Sequence, residues 1–228
     1  MIINQNEIHI YSTRTDLNEN ELNNFRKILS EDENTIAEKY KISYLKNNYT
    51  ACRGFLREIL SGYTGINPTE IKFSYSEFGK PFLKESNIRF NVSHSGNAGI
   101  IAVNLENELG IDIELIREVP DLISLSARFF SKSEITELNK TDSGKLTDSF
   151  FYCWTRKEAF VKAVGTGLQY PLNSFSVSIT EDAEPEITEI ANDFTEARKW
   201  KLYNIPAAHN YISSLAVRNL NKNIVFKN

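Results

Sequence analysis

Sulfur is scarce in this chain: two cysteines stand among 228 residues. Cys52 and Cys153 lie in apolar, helix-like stretches without metal-ligand spacing, and they read as reduced core residues of a cytosolic protein. A basic excess is also missing. The formal charge of -4 and a pI near 5.6 argue against non-specific nucleic-acid binding, leaving room only for a local basic patch. Residues 1–7 have no basic region followed by an apolar run, so no signal peptide is expected. No stretch is apolar for long enough to cross a bilayer, so neither a membrane nor a nucleic acid is an expected partner, and the expected address is the cytoplasm. Walker-type and G-x-G-x-x-G loops are absent as well.

What is present centres on residues 150–165, Phe-Phe-Tyr-Cys-Trp-Thr-Arg-Lys-Glu-Ala-Phe-Val-Lys-Ala-Val-Gly. The stretch has no proline, a dense apolar lining, and glycines at 165 and 167 where a helix should stop. Glu158 and Lys162 are one turn apart and share a face, with Trp154 one turn earlier. Apolar side chains surround this acid and base on nearly every side, and charge at an apolar wall is costly unless it has a job. A surface ion pair on a helix packed by its other face explains the same spacing, and this stretch alone weighs the two readings evenly.

Residues 7–13 alternate like a strand, which makes His9 a strand residue without a chemical role. An acidic, apolar-periodic helix is expected over residues 18–29, and Ser30-Glu31-Asp32-Glu33 caps another that runs to Tyr40. Residues 49–61 form a third helix, carrying Arg53 and Arg57. Asn67-Pro68-Thr69 breaks the chain before a strand at 71–75, and Phe78-Gly79-Lys80-Pro81 is a turn. Residues 88–92 and 98–103 pair through Ser93-His94-Ser95-Gly96-Asn97. The order then recurs as a helix over 149–164, a glycine turn, and strands at 174–179, 200–204 and 211–217. A short echo accompanies it, with Gly65-Ile66-Asn67-Pro68 matching Gly167-Leu168-Gln169-Tyr170-Pro171. The expected fold is α+β (α/β): two similar helix-plus-three-strand lobes related by a pseudo-twofold axis, residues 1–105 and 106–228, with the active site in the cleft between them.

Between the halves lies Gly110-Ile111-Asp112-Ile113-Glu114. Strand periodicity puts Asp112 and Glu114 on one face and the two isoleucines on the other. Adjacent carboxylates repel unless a cation lies between them or one is protonated. A hard cation such as Mg²⁺ suits two or three carboxylates plus substrate phosphates, although the polar edge of a half-exposed strand is the simpler reading of the D-x-E alone. Glu158 changes the weighing if the fold brings it to them. Ser93, His94, Ser95 and Gly96 offer hydroxyls, an imidazole and a flexible turn for an anion, and Lys80 and Arg53 add positive charge.

In order and spacing, Asn91-Val92-Ser93-His94-Ser95, Gly110-Ile111-Asp112-Ile113-Glu114 and Trp154-Thr155-Arg156-Lys157-Glu158-Ala159-Phe160-Val161-Lys162 resemble the 4′-phosphopantetheinyl transferases of the two-lobed, Sfp-like type. Arg53-Gly54-Phe55-Leu56-Arg57, Phe78-Gly79-Lys80-Pro81 and Phe129-Phe130-Ser131-Lys132-Ser133-Glu134 fit the same pattern, and the resemblance covers roughly residues 38 to 180. It implies transfer of 4′-phosphopantetheine from coenzyme A to a serine of an apo acyl or peptidyl carrier protein, dependent on Mg²⁺, with release of adenosine 3′,5′-bisphosphate. By position, Asp112, Glu114 and Glu158 resemble the metal-binding acids. Lys162 resembles the lysine near the pyrophosphate, and Arg53, Lys80, Ser93 and His94 resemble the coenzyme-binding residues. Glu158 is expected to take the proton of the carrier serine and Lys162 to meet the departing phosphate. Asn48 departs from the pattern, standing where many relatives carry a basic residue.

Two further stretches have competing readings. Ser131-Lys132-Ser133-Glu134 is an S-x-x-E capping box, which is favoured over a place for Glu134 in the cleft. Residues 119–125 carry aliphatics that suit a carrier-helix groove but are better read as core. Because one chain supplies both halves of the cleft, a monomer is expected. The pathway of the carrier, whether fatty-acid, polyketide or nonribosomal-peptide, is not written in the sequence. Two rivals stay open here: a binding module that has lost catalysis, and a Mg²⁺-dependent phosphohydrolase built on the same acids.

Overall fold

In each half of the chain a strand leads into three helices and two hairpins. β1 (Glu7–Arg14) is followed by α1 (Glu19–Ile28), α2 (Glu31–Lys39) and α3 (Ser43–Thr64). A short hairpin, β2 (Phe73–Tyr75) and β3 (Pro81–Leu83), and a long one, β4 (Ile88–Ser95) and β5 (Ala98–Leu105), complete the first half. The second half runs β6 (Leu109–Leu115), α4 (Leu122–Phe129), α5 (Lys132–Leu138) and α6 (Leu146–Val164). It continues with β7 (Phe175–Val177), β8 (Ile187–Ile190), the one-turn α7 (Phe194–Ala197), β9 (Lys201–Asn204) and β10 (Tyr211–Val217), and ends in β11 (Asn223–Lys227). These elements come from a computed structural model that describes residues 1–191, 193–218 and 222–227, the side chain of Leu168 excepted.

The two main sheets have matching strand orders, β1-β5-β4 and β6-β10-β9, both antiparallel. The expectation of two similar helix-plus-three-strand lobes is borne out, with one exchange. Residues 71–75 and 174–179 do not enter the sheets; the three-residue strands β2 and β7 pair in hairpins of their own. The leading strands β1 and β6 are the third members instead. β11 falls in the 106–228 half by sequence, yet it pairs in parallel with β1 in the sheet of the first lobe.

The repeat has a finer register than the short echo suggested. Gly65 and Gly165 both end a long helix in the left-handed region, at φ 70° and 83°, so Gly165 rather than Gly167 corresponds to Gly65. Glycine adopts that conformation without a Cβ penalty. At the same distance before each cap stands a buried cation, Arg57 in α3 and Lys157 in α6. Each meets the third residue of a short helix whose serine N-cap it completes as a capping box: Glu33 after Ser30, and Glu134 after Ser131. Arg57 Nε lies 2.6 Å from Glu33, and Lys157 Nζ lies 2.8 Å from Glu134. Arg57 also donates to the carbonyls of Pro68 and Ile71, and Lys157 to those of Leu172 and Phe175. Glu134 is therefore the expected cap and also half of a buried strap that ties a short helix, a long helix and the following loop together.

Alternation decides the layers. On β5, Ile101 and Val103 pack with Leu56 and Leu60 of α3, while Ile100 and Ala102 face a second core shared with Leu109, Ile111 and Ile113 of β6 and Leu215 of β10. A third core surrounds α6, with Phe150, Phe160, Phe175 and Trp200. Both cysteines are buried and free, and burial raises the Cys52 thiol to about 12. Among the described residues, no helix is long and apolar enough to cross a membrane.

Breaking a buried ion pair from one side strands the other charge. Lys157→Met should therefore cost about 3–5 kcal/mol of folding free energy in urea denaturation, because Glu134 would be left buried and uncompensated. A loss under about 1 kcal/mol, the scale of an exposed pair, would show that the strap is dispensable.

Candidate active site

The site lies where β6 of the second lobe runs between β4 of the first lobe and helix α6. As the strand period requires, Ile111 and Ile113 enter the shared core while Gly110, Asp112 and Glu114 take the opposite face. Gly110 lets the helix close on the strand: a Cβ at this position would drive into the carbonyl oxygen of Ala159 and the amide nitrogen of Ala163. Alanines at 159 and 163 keep the facing surface of α6 low, and Thr155 adds a 2.9 Å hydrogen bond to Ser214 of β10. This approach brings the last two turns of α6, with Glu158 and Lys162, over the acids of β6.

No backbone ladder joins β4 to β6; they are edges of different sheets. Alternate side chains of β4 bridge the gap. The Ile111 amide donates to Asn91 Oδ1 at 2.9 Å, and the Leu115 amide donates to Ser95 Oγ at 3.2 Å. Ser93 Oγ donates to Asp112 Oδ1 at 2.8 Å, and Ser95 Oγ donates to Glu114 Oε2 at 2.7 Å. Edge amides and carboxylates of β6 thus find partners without a shared ladder. The sequence offers Ser95 to an anion and gives Asn91 no role of its own, whereas both bond to β6; the N-x-S-x-S alternation, read with the same period as D-x-E, carries the signal.

Lys162 reaches across to this seam. Its ammonium lies 2.6 Å from Asp112 Oδ1 and donates to Ser93 Oγ at 2.8 Å. Glu158 and Lys162 share a face as the spacing requires, yet the ion pair Lys162 forms is with Asp112, a residue distant in sequence. Asp112 is 5 % exposed, and its second oxygen, Oδ2, is buried with no hydrogen-bond partner. Burial raises the Asp112 carboxyl above its ordinary pKa, against the pull of Lys162 and Ser93. Glu158 is raised by burial first and then by the negative charge of Asp112, with Glu114 adding a smaller push and Lys162 opposing. Asp112 and Glu158 are therefore on the same side of the molecule and close enough to repel. Among the described residues, no three Asp, Glu, His or Cys side chains stand together as a preformed metal cage.

Beside the acids, Tyr49, Arg53, Tyr75, Gly79, Pro81 and His94 line a groove on the first lobe. Arg53 lies 2.8 Å from Glu33, donates to the Tyr75 hydroxyl at 2.7 Å and covers the Phe73 ring at 4.6 Å. His94 keeps solvent contact, but the groove walls disfavour its imidazolium and the Lys162 charge adds to that. Lys80 points elsewhere. Gly79 and Pro81 line the groove, whereas the Lys80 ammonium donates to the carbonyls of Leu109 and Ala163, and burial lowers its pKa to about 8. It ties the turn to the start of β6 and the end of α6. Asn48, the departure from the family pattern, is buried and donates to Gly96 O at 2.9 Å, holding the β4–β5 turn. Tyr211 holds the same turn from the second lobe by accepting from the Asn97 amide. In the 119–125 stretch, Leu122 is in the core with Val119 and Leu125 against it, and Ile123 is exposed.

A family profile described as the 4′-phosphopantetheinyl transferase superfamily matches residues 108–216, and one described as 4′-phosphopantetheinyl transferase, N-terminal, matches residues 17–106. The chain is 36 % identical over 215 residues to the 4′-phosphopantetheinyl transferase HetI of Nostoc sp., covering 92 % of this chain and 87 % of that protein. It is 38 % identical over 133 residues to the 4′-phosphopantetheinyl transferase Sfp of Bacillus subtilis, covering 58 % of each.

Gly110→Ala tests the approach on which the site depends. A methyl group with only main-chain atoms to push against should cost about 3 kcal/mol in urea denaturation. Stability equal to the parent would mean that α6 does not lie against β6 this closely.

Proposed function

The chain belongs to the 4′-phosphopantetheinyl transferase family, and we propose that it moves 4′-phosphopantetheine from coenzyme A to a serine of an apo acyl or peptidyl carrier protein in a Mg²⁺-dependent reaction. The observation that carries this reading is the ion pair of Asp112 with Lys162 on the helix that also carries Glu158, together with a second Asp112 oxygen that is buried and has no partner. That oxygen is the test of fit for a cation. An orphaned buried carboxylate oxygen is costly, and carboxylates joined by substrate phosphates suit a hard divalent ion. Mg²⁺ keeps several waters and uses substrate phosphates as ligands, so it does not need a closed protein cage.

In this reading Asp112, Glu114 and Glu158 hold the ion. Bound there, it would neutralise charge developing on the pyrophosphate. The carrier serine attacks the phosphorus that bears pantetheine, and the bond from that phosphorus to the bridging oxygen breaks. Glu158 accepts the serine proton, and adenosine 3′,5′-bisphosphate leaves. Lys162, one turn from Glu158 and already hydrogen-bonded to Ser93, meets the leaving phosphate. Arg53 and His94 line the groove for the remaining phosphates and nucleoside, so the first lobe serves the coenzyme and the second supplies the acids. Ser93 links the two, since its hydroxyl serves Asp112 and Lys162 together. Lys80 supports the coenzyme indirectly, as its ammonium is occupied by two carbonyls. Phosphoryl transfer asks mainly for positioning and charge stabilisation, which is what these groups offer. Both lobes lie in one chain, which suits a monomer.

Incubation with coenzyme A, Mg²⁺ and apo carriers of several pathways, read by mass spectrometry, should add the phosphopantetheine mass to a carrier serine. Binding without transfer would favour a module, and coenzyme breakdown without carrier would favour a hydrolase. Glu158→Gln keeps size but removes the charge, so transfer should fall by roughly 10²–10⁴-fold. Near-normal transfer by this variant removes Glu158 as the base.

A further inference from the structure

We propose that Ser95 is a positioning residue for the acid set, holding the Glu114 carboxylate in its cation-binding orientation from the opposite lobe. The inference rests on the reading of Asp112, Glu114 and Glu158 as the cation site. Ser95 Oγ accepts the Leu115 amide at 3.2 Å, so its single proton is left for Glu114 Oε2, 2.7 Å away. A hydroxyl anchored on a backbone amide has little freedom to rotate, and it fixes the carboxylate it serves. Glu114 has one competing partner. Arg117 Nη1 lies 3.3 Å from the same oxygen and is 59 % exposed, on the solvent side of the strand. Without Ser95, that arginine would be the remaining side-chain partner of Glu114, and it would draw the carboxylate outward. Ser93 stands in the same relation to Asp112, so two alternate hydroxyls of β4 serve two alternate acids of β6. The strand that carries His94 on the coenzyme groove thus orients the acids on its other face.

The test is Mn²⁺ binding to the protein saturated with coenzyme A, monitored by water-proton relaxation. Outer partners of metal ligands are commonly worth about 10–100-fold in affinity, and Ser95→Ala should weaken Mn²⁺ binding by roughly tenfold. Ser95→Thr, which keeps the hydroxyl, should bind within about twofold of the parent, a conservative rescue expected of an outer-sphere donor. Asn91→Ala removes a neighbouring seam bond that touches no acid, and it should leave Mn²⁺ affinity unchanged. Should Ser95→Ala fail to fold, Ser95→Cys, a weak donor of similar size, is read in its place with the same expected direction. Parental affinity in the Ser95 variant, or an equal loss in Asn91→Ala, overturns the positioning role. Asp112→Asn run alongside separates the two levels. If that variant binds Mn²⁺ like the parent, or the parent shows no saturable binding, the cation site itself is wrong. If it binds weakly while Ser95→Ala binds normally, only the inference about Ser95 fails.

Discussion

The rest of the structure depends on a seam of side chains between two strands that do not share a ladder. Had β4 and β6 paired through their backbones, the amide and carbonyl groups of each would be consumed in a fixed register. Here Asn91, Ser93 and Ser95 span the gap, and two of the four hydrogen bonds they make to β6 are to carboxylates. One row of hydrogen bonds therefore joins the two lobes and contacts both acids of β6. Side-chain bridges of this kind are exposed to loss one residue at a time, because each depends on a single hydroxyl or amide rather than on a cooperative ladder.

On the far side of β6, packing does the positioning. The missing Cβ at Gly110 and the low surface at Ala159 and Ala163 decide how deeply α6 sits. That depth brings Lys162 to Asp112 and crowds Glu158 against the same charge. The crowding is unfavourable in itself: like charges in a poorly solvated place raise each other's pKa. A protein keeps such an arrangement when a counter-charge spends time there, and the half-satisfied Asp112 fits that description.

The two lobes reach similar architectures with different chemistry on the same framework. Glu33 with Arg57 and Glu134 with Lys157 occupy matching places, each closing a helix cap and holding a loop. Buried pairs of this sort are weak contributors to net stability but strict about geometry, since neither partner tolerates being left alone. They fix the long helices against their short neighbours and leave the inner faces free to differ. In the first lobe that face borders a groove with Arg53 and His94; in the second it presents Glu158 and Lys162.

Much of this was legible in the chain. The alternation of Gly110-Ile111-Asp112-Ile113-Glu114 determined that both acids share one face, because a strand has only two. The turn spacing of Glu158 and Lys162, the capping box at Ser131, and the recurrence of helix and strands were set by local geometry in the same way. Local geometry does not say which distant segment comes to rest opposite. The sequence spacing offered Glu158 as a partner for Lys162, and the folded chain pairs Lys162 with Asp112. It offered Lys80 as positive charge for a phosphate, and folding directs that ammonium to the carbonyls of Leu109 and Ala163. It left β1 and β6 outside the expected strand trios, because membership of a sheet depends on long-range pairing rather than on the strand's own pattern. Periodicity fixes the face on which a side chain lies; only the packing of whole elements, through the shared apolar core and the close approach at Gly110, decides what that face meets.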